Sequence, residues 1–203
     1  MELTVNKVAA RWPGDTGVTV NDASWDATMI MDDVAYHRHP NGGGWVAETA
    51  YASPTAFIGI TAIVCGSACV FGNARILDNA VVSGRAEVSG NAKVYGSADV
   101  CDNAKVYGNA EVFESAKVLD NAEVSGYAKV YGKARISGNA RVFHRAKVFG
   151  TAHVHDHADV SGWAKVYGNA KLSDRVKVSG GARIFKDIEF SGHIHISDNE
   201  VVE

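Results

Sequence analysis

The sequence predicts an all-β fold, a three-sided parallel β-helix of about eight 18-residue coils with a small N-terminal cap region. The first observation is a repeat: an alanine stands at every sixth residue from Ala56 to Ala170, and a Val, Ile or Leu follows two residues after each alanine. A fixed short period of this kind is typical of a solenoid, in which each repeat buries its core against the next. The second observation concerns the hexad, and the third a longer period of aromatic residues.

Each hexad is predicted to form one strand and one corner. The four residues Ala92–Tyr95 alternate between small or branched side chains and polar or aromatic ones, which is the two-residue period of a strand. Gly96–Ser97 supplies the turn that leads into the next hexad. A strict period of six cannot keep one face of a helix apolar, so the pattern excludes helices.

The outward positions predict how many hexads form one coil. The residue after each branched core position gives an unbroken apolar or aromatic series when it is sampled at every third hexad: Leu77, Tyr95, Phe113, Tyr131, Phe149, Tyr167 and Phe185. The two other series mix Ser, Cys, His and aromatic residues. Three hexads therefore make one coil. The 24 hexads from Ile58 to Ile196 predict eight coils, stacked to a height of roughly 38 Å.

Charges distinguish the faces of the predicted prism. On one face the charge alternates in sign from coil to coil, through Glu87, Lys105, Glu123, Arg141, Asp159 and Lys177. Neighbours of opposite sign attract each other, so this face is predicted to be solvated. The aromatic face instead carries mostly cations beside its rings: Arg75, Lys93, Glu111, Lys129, Lys147, Lys165 and Arg183. We expect that face to contact a partner.

The hexad pattern resembles the hexapeptide-repeat superfamily over residues from about 44 to 199. This resemblance implies a left-handed coil and a homotrimer, and left-handed crossovers are otherwise rare. The stretch Gly42–Val46, followed by Gly-Asn-Ala units, is also similar to uncharacterised acyltransferases of bacteria and their prophages. That similarity implies acetyl-coenzyme A as the alternative cofactor.

Two regions are expected along the chain. Residues 1–43 lack the repeat and are predicted to cap the first coil or to contribute to oligomerisation, while residues 44–203 form the β-helix. Residues 1–56 contain three basic and seven acidic residues, a local charge of −4. In the last coils Ile188 and Ile194 replace alanine and Phe190 replaces a branched residue, which predicts a terminal stopper.

Composition favours a cytoplasmic protein. No basic segment followed by an apolar run begins the chain, so neither a signal peptide nor a membrane contact is expected. Cys65, Cys69 and Cys101 show no metal-ligand spacing and are expected to be free thiols. The sequence pI of about 6.2 argues against a dedicated nucleic-acid binder.

One corner carries the candidate ligand site. Tyr127, Arg145 and Trp163 occupy equivalent corner positions in successive coils, where small turn residues are usual elsewhere. An arginine between two rings predicts a cation–π stack. His144 lies beside this stack, and Lys129, Lys147 and Lys165 follow it. We expect a small anionic or nucleotide-like ligand here, or a contact with another subunit or protein partner.

Histidines supply the catalytic alternative. Acyltransferases of the hexapeptide-repeat superfamily, which this chain resembles, use a histidine as general base. The candidates in the middle of the prism are His144, His155 and His157. No carboxylate or cysteine completes a convincing metal site around His153, His155 and His157. The repeats also run without a loop insertion that could cover an acceptor site. The sequence therefore favours a non-catalytic trimeric binding module without a cofactor, with a coenzyme A-dependent acyltransferase as the alternative.

Overall fold

The protein is an all-β solenoid. A computed structural model describes residues 19–20 and 28–202, and within these residues it contains thirty strands and no helix. The strands are, in chain order, β1 (Thr19–Val20), β2 (Thr28–Met31), β3 (Val34–Arg38), β4 (Trp45–Ala47), β5 (Tyr51–Ala52), β6 (Phe57–Ile58), β7 (Ile63–Val64), β8 (Cys69–Val70), β9 (Arg75–Ile76), β10 (Val81–Val82), β11 (Glu87–Val88), β12 (Lys93–Val94), β13 (Asp99–Val100), β14 (Lys105–Val106), β15 (Glu111–Val112), β16 (Lys117–Val118), β17 (Glu123–Val124), β18 (Lys129–Val130), β19 (Arg135–Ile136), β20 (Arg141–Val142), β21 (Lys147–Val148), β22 (His153–Val154), β23 (Asp159–Val160), β24 (Lys165–Val166), β25 (Lys171–Leu172), β26 (Lys177–Val178), β27 (Arg183–Ile184), β28 (Glu189–Phe190), β29 (His195–Ile196) and β30 (Val201–Val202).

From β4 onward, every third strand belongs to the same parallel sheet, which confirms the three-sided prism. Sheet A contains β4, β7 and so on to β28, sheet B runs from β5 to β29, and sheet C from β6 to β30. Each contributes nine parallel strands, so the solenoid has nine turns rather than about eight. The additional turn comes from Val46, Ala52 and Val202, which also lie on the core side or pack against it. Handedness stays a prediction from the resemblance.

The core is the predicted column of small and branched residues. Every repeat alanine from Ala56 to Ala170, and every branched residue that follows it, is 0% exposed. Alternate backbone N–H groups donate to the next coil, as Lys93, Tyr95 and Ser97 donate to the carbonyls of Ala110, Val112 and Glu114 at 2.6–3.0 Å. Each donor therefore pairs with the carbonyl just before its own equivalent in the next coil. This register places equivalent residues of successive coils side by side.

Each corner from Gly66 to Asp198 contains one residue with positive φ, always at the same hexad position. Most of these residues are glycine, which adopts this conformation without steric cost. Aspartate replaces it at several corners, and at five of them the carboxylate accepts a backbone hydrogen bond from the next coil: Asp78, Asp102, Asp120, Asp156 and Asp174. Asp120 Oδ2, for example, lies 2.8 Å from the backbone N of Gly138. The corner residues that the sequence predicts as turn formers therefore also connect the coils.

The first coil is closed by the segment between β3 and β4. The imidazole of His39 is 2% exposed, and its Nε2 lies 3.1 Å from the carbonyl oxygen of Ser53. Asn41 Nδ2 donates to the carbonyl oxygen of Ala56 at 2.9 Å, and the N–H of Gly44 donates to Ile58 at 2.8 Å. Asn41 and Gly44 pair with carbonyl groups that an open solenoid end would leave unpaired, whereas the Ser53 carbonyl also accepts the N–H of Ala56 at 2.9 Å.

The N-terminal strands extend sheet A outward from the first coil. β1, β2 and β3 pair antiparallel in sequence, and β3 pairs antiparallel with β4. Met29, Tyr36 and Trp45 form a small second apolar cluster, and the Arg38 guanidinium stacks 3.7 Å from the centre of the Trp45 ring. Most of the segment 1–43 that the sequence predicts as a cap, namely residues 1–18 and 21–27, lies outside the described residues.

At the other end, the predicted stopper residues are only partly buried. Ile188, Phe190 and Ile194 pack against the core but keep some exposure, whereas Ile196 is 4% exposed. The larger side chains fill the end of the core without shielding it completely.

We predict that Ala122→Leu will destabilise the fold by about 1–3 kcal/mol, because a fully buried slot becomes overpacked. Lys117→Leu serves as the outward control, since it removes only an exposed salt bridge of 3.3 Å to Asp99. Its expected effect is within ~0.5 kcal/mol. Chemical denaturation measures both variants, and equal losses would contradict the assignment of inward and outward positions.

The cap generates a second prediction. His39→Leu should cost about 1–3 kcal/mol, because it removes the buried imidazole that donates to the Ser53 carbonyl and leaves the N–H of Asn41, 3.3 Å from His39 Nδ1, without this acceptor. His37→Leu is the matched control, since His37 is exposed. Amide exchange in the first coil should accelerate only in the His39 variant. Unchanged exchange there would show that the cap does not depend on this imidazole.

Candidate functional site

The charge ladder on sheet B forms as predicted. Glu87, Lys105, Glu123, Arg141, Asp159 and Lys177 lie side by side in successive strands. Arg141 binds Asp159 through two hydrogen bonds of 2.8 Å, and this interaction raises the pKa of Arg141. Paired charges of this kind satisfy one another, so sheet B is an electrostatically balanced face.

The aromatic series on sheet C forms one continuous stack. The rings of Tyr95, Phe113, Tyr131, Phe149, Tyr167 and Phe185 lie 4.7–5.1 Å apart between centroids, with interplanar angles of 1–8°. The column that the sequence predicts is therefore confirmed. Offset-stacked rings at such distances contribute about 0.5–1.5 kcal/mol per pair beyond their burial.

This stack changes what the column can offer a partner. The faces of each inner ring are covered by the rings above and below, so mainly ring edges remain exposed. Burial, reinforced by Glu111, raises the pKa of Tyr95, and burial also raises that of Tyr131, so both phenols stay neutral at physiological pH. The aromatic column thus stabilises the solenoid itself, whether or not a partner covers it.

Cations lie in one row beside the stack. Lys129, Lys147, Lys165 and Arg183 pair in register along sheet C, at the spacing of one strand. Lys129 forms a salt bridge of 3.0 Å with Glu111. Within the part of the chain that the structure describes, the other three form no salt bridge to a carboxylate. Their charges remain available to an anion.

The corner between sheets B and C changes character along the prism. In the first coils Asn73, Asn91 and Asn109 connect through amide hydrogen bonds of 3.4 Å. The next three coils carry Tyr127, Arg145 and Trp163 at the same corner position, as the sequence indicates. A cation–π stack therefore takes the place of an asparagine ladder at this edge.

Arg145 lies between the two rings. Its Cζ is 4.6 Å from the centre of the Trp163 ring and 5.6 Å from that of Tyr127. Both rings project into solvent, with exposed fractions of 63% for Trp163 and 58% for Tyr127. No salt bridge to Arg145 occurs among the described residues. The guanidinium is thus fixed in orientation while the N–H groups at its edge stay open to an acceptor.

The structure places all seven predicted ligand-site residues in one neighbourhood. His144 precedes Arg145 in the chain, adopts a positive φ of 59° and packs edge-on against Phe143. Lys129, Lys147 and Lys165 each follow one member of the stack by two residues. The site therefore combines an exposed aromatic–arginine corner with an adjoining row of ammonium groups.

Sequence reasoning missed one property of this region. Between Glu123 and Asp156 the chain has no carboxylate but six cations: Lys129, Lys133, Arg135, Arg141, Arg145 and Lys147. This run covers almost two coils, and its cations form a belt across the three faces in which Lys129 and Arg141 are paired with Glu111 and Asp159 of the neighbouring coils. A count of acidic residues in windows of one coil would have revealed it.

The catalytic candidates are not brought together. His144 lies at the corner between sheets B and C, whereas His155 and His157 lie near the corner between sheets A and B. His155 Nδ1 is 3.0 Å from Asp156 Oδ2. Burial, together with the charges of Arg135 and Lys171, lowers the pKa of the neighbouring His153. In residues 28–202 no group of three or more His, Cys, Asp or Glu side chains is arranged to hold a metal ion.

The three cysteines are free thiols. Burial and the adjacent Asp102 raise the pKa of Cys101 to about 12, and burial raises that of Cys65. Neither group is therefore a thiolate nucleophile at neutral pH.

Comparison with known proteins bears on the fold. Residues 134–148, which span β19 to β21, match a family model described as the YdcK beta-solenoid repeat. Curated proteins show no match. Among the described residues no helix is long and apolar enough to cross a membrane. The family match and the three parallel sheets together support a β-helix architecture.

Proposed function

We propose that this protein is a non-catalytic β-solenoid module that binds a small planar anion, nucleotide-like in character, at the corner formed by Tyr127, Arg145 and Trp163. The arrangement of Arg145 carries the proposal: two exposed rings hold its guanidinium at 4.6 and 5.6 Å, and no described carboxylate neutralises it. Large exposed rings are costly unless they contact something, and a planar ligand can stack on them.

Electrostatics supports the same assignment. Lys147 and Lys165 lie beside the stack without a described salt bridge, and the belt from residue 124 to 155 adds further positive charge. A phosphate or carboxylate group would bind Arg145 and a neighbouring lysine together, as charge-assisted hydrogen bonds favour. The planar part of the ligand would contact an aromatic ring.

An acyltransferase is the second candidate, and one contact favours it. Asp156 accepts the backbone N–H of Asp174 at 3.2 Å, which fixes its carboxylate beside the imidazole of His155. A carboxylate in that place orients a histidine for general-base catalysis. Acetyl-coenzyme A would be the donor for such a reaction.

The binding function generates a prediction. Trp163→Ala and Arg145→Ala should each weaken ligand binding by about 1–3 kcal/mol, since the first removes a stacking surface and the second a charge. Thermal stabilisation by a panel of mono-, di- and cyclic nucleotides measures the effect. Tyr51→Ala and Arg175→Ala are matched controls, because Tyr51 is 55% exposed and Arg175 occupies an equivalent corner position on another edge. Equal stabilisation of all four variants would contradict the site.

The catalytic alternative is checked in the same samples. Release of free thiol from acetyl-coenzyme A in the presence of an acceptor, lost by about 100-fold or more in His155→Ala, would favour the acyltransferase. His144→Ala and His157→Ala complete the set. Nucleotide-dependent stabilisation without thiol release favours the binding module.

The homotrimer is part of the proposed function and stays a prediction. The edges of the stacked rings on sheet C form an apolar strip that a neighbouring prism could cover. Because the same rings stack within one chain, substituting them would also destabilise the monomer. Native mass spectrometry of the unmodified protein is therefore the direct measurement, with three subunits expected. A monomer at micromolar concentration would contradict the trimer.

A further inference from the structure

The coil that follows Trp163 lacks a side chain at the corner position. Trp163, Gly181 and Asn199 are equivalent residues of three successive coils, as the hydrogen bonds from Trp163 N to Gly180 O and from Gly181 N to Asp198 O show. Arg145 covers one face of the indole. Because Arg145 belongs to the preceding coil, the opposite face is expected on the side of the next coil, that of Gly181, and the ring is 63% exposed.

We infer that this gap is a binding slot for the heterocyclic ring of a mononucleotide-type ligand, which inserts between the Trp163 indole and the Asn199 side chain. The inference rests on the proposed function and identifies where its ligand's ring lies. The ring extends the Tyr127, Arg145 and Trp163 stack by one member. No other described corner places a free indole face next to a glycine.

The spacing of the coils leaves room for one ring once the exposed Asn199 side chain moves away from Gly181. Two strand spacings separate the coils of Trp163 and Asn199, about 9.6 Å. A planar ring held between two surfaces at contact distances of ~3.5–4.0 Å needs about 7–8 Å. The Asn199 amide lies over Gly181, because a Cβ placed on Gly181 would lie 2.5 Å from its Oδ1, so the ring displaces this exposed side chain and then packs against it. Its amide offers one donor group and one acceptor to the edge of a heterocycle.

Charges around the slot orient the ligand. Lys165 and Arg183 pair in register on sheet C, directly after Trp163 and Gly181 in the chain. Neither has a salt bridge among the described residues. Asp198 and Glu200 flank Asn199 at the far end, and Asp198 accepts a hydrogen bond from Ser197 at 3.4 Å. The phosphate therefore points to Lys165, the lysine shared with Arg145 in the proposed function, with Arg183 beside it in the next coil and the acidic end farther away.

The test compares AMP with its two parts, adenosine and ribose 5-phosphate. Isothermal calorimetry gives the affinities, and the indole N–H resonance of Trp163, assigned with Trp163→Phe, reports ring insertion. Gly181→Asn fills the slot; Gly181 does not have a positive φ, and the new Cβ requires the exposed Asn199 side chain to move aside. Ser97→Asn, which introduces the same side chain at an exposed corner of another edge, is the control.

Gly181→Asn should lower the affinity for AMP and for adenosine by at least about tenfold, because stacking of a base on an aromatic ring contributes this much to binding. The affinity for ribose 5-phosphate should change by less than about twofold. Lys165→Ala should show the converse pattern: the affinity should fall for AMP and ribose 5-phosphate and stay unchanged for adenosine. Asn199→Ala offers a second test that leaves the slot open, with a loss of several-fold for AMP and adenosine.

The outcomes separate this inference from the function on which it rests. If AMP binding is lost in Arg145→Ala but kept in Gly181→Asn and Asn199→Ala, the binding module stands and the slot is wrong. If neither AMP nor any member of the nucleotide panel binds, the proposed function itself fails and the slot fails with it.

Discussion

The register between coils is the constraint on which the rest of the structure depends. The backbone N–H of each residue with an outward side chain donates to a carbonyl of the next coil. Equivalent residues three hexads apart must therefore lie one strand spacing from each other. Any property that recurs at every third hexad then becomes a column on the surface or in the core. Buried alanine and valine, positive-φ corners, alternating charges and stacked rings all follow from that one hydrogen-bonding pattern.

Columns have different consequences on the three faces. On sheet B, alternation of sign converts the column into paired charges, as Arg141 and Asp159 show. On sheet C, similar ring shapes stack, while Lys147, Lys165 and Arg183 accumulate like charge. A solenoid without loop insertions has only such surfaces to offer a ligand. A break in a column, such as the replacement of asparagine by Tyr127, Arg145 and Trp163, is therefore the feature that distinguishes one part of the surface from another.

The ends of the prism differ in how they meet solvent. At the first coil Asn41 and Gly44 supply donors to carbonyl groups that the register leaves unpaired, and the buried His39 adds a contact to the Ser53 carbonyl. At the last coil Ile188 and Phe190 only partly cover the core. Stability is consequently expected to be unequal along the axis, because a solenoid depends on interfaces between neighbouring repeats.

The sequence alone determined the architecture, because the hexad and the three-hexad period express backbone geometry directly. It predicted three faces, the inward residues, the aromatic column and the arginine between two rings, and it undercounted the turns only where Val46, Ala52 and Val202 depart from the strict repeat. Tertiary structure decided what periodicity does not encode. The cap by His39 joins residues that share no repeat. Neighbouring rings cover the ring faces of the aromatic column, and Arg145 stacks on the Trp163 indole. These depend on orientations of individual side chains, which composition and spacing leave open.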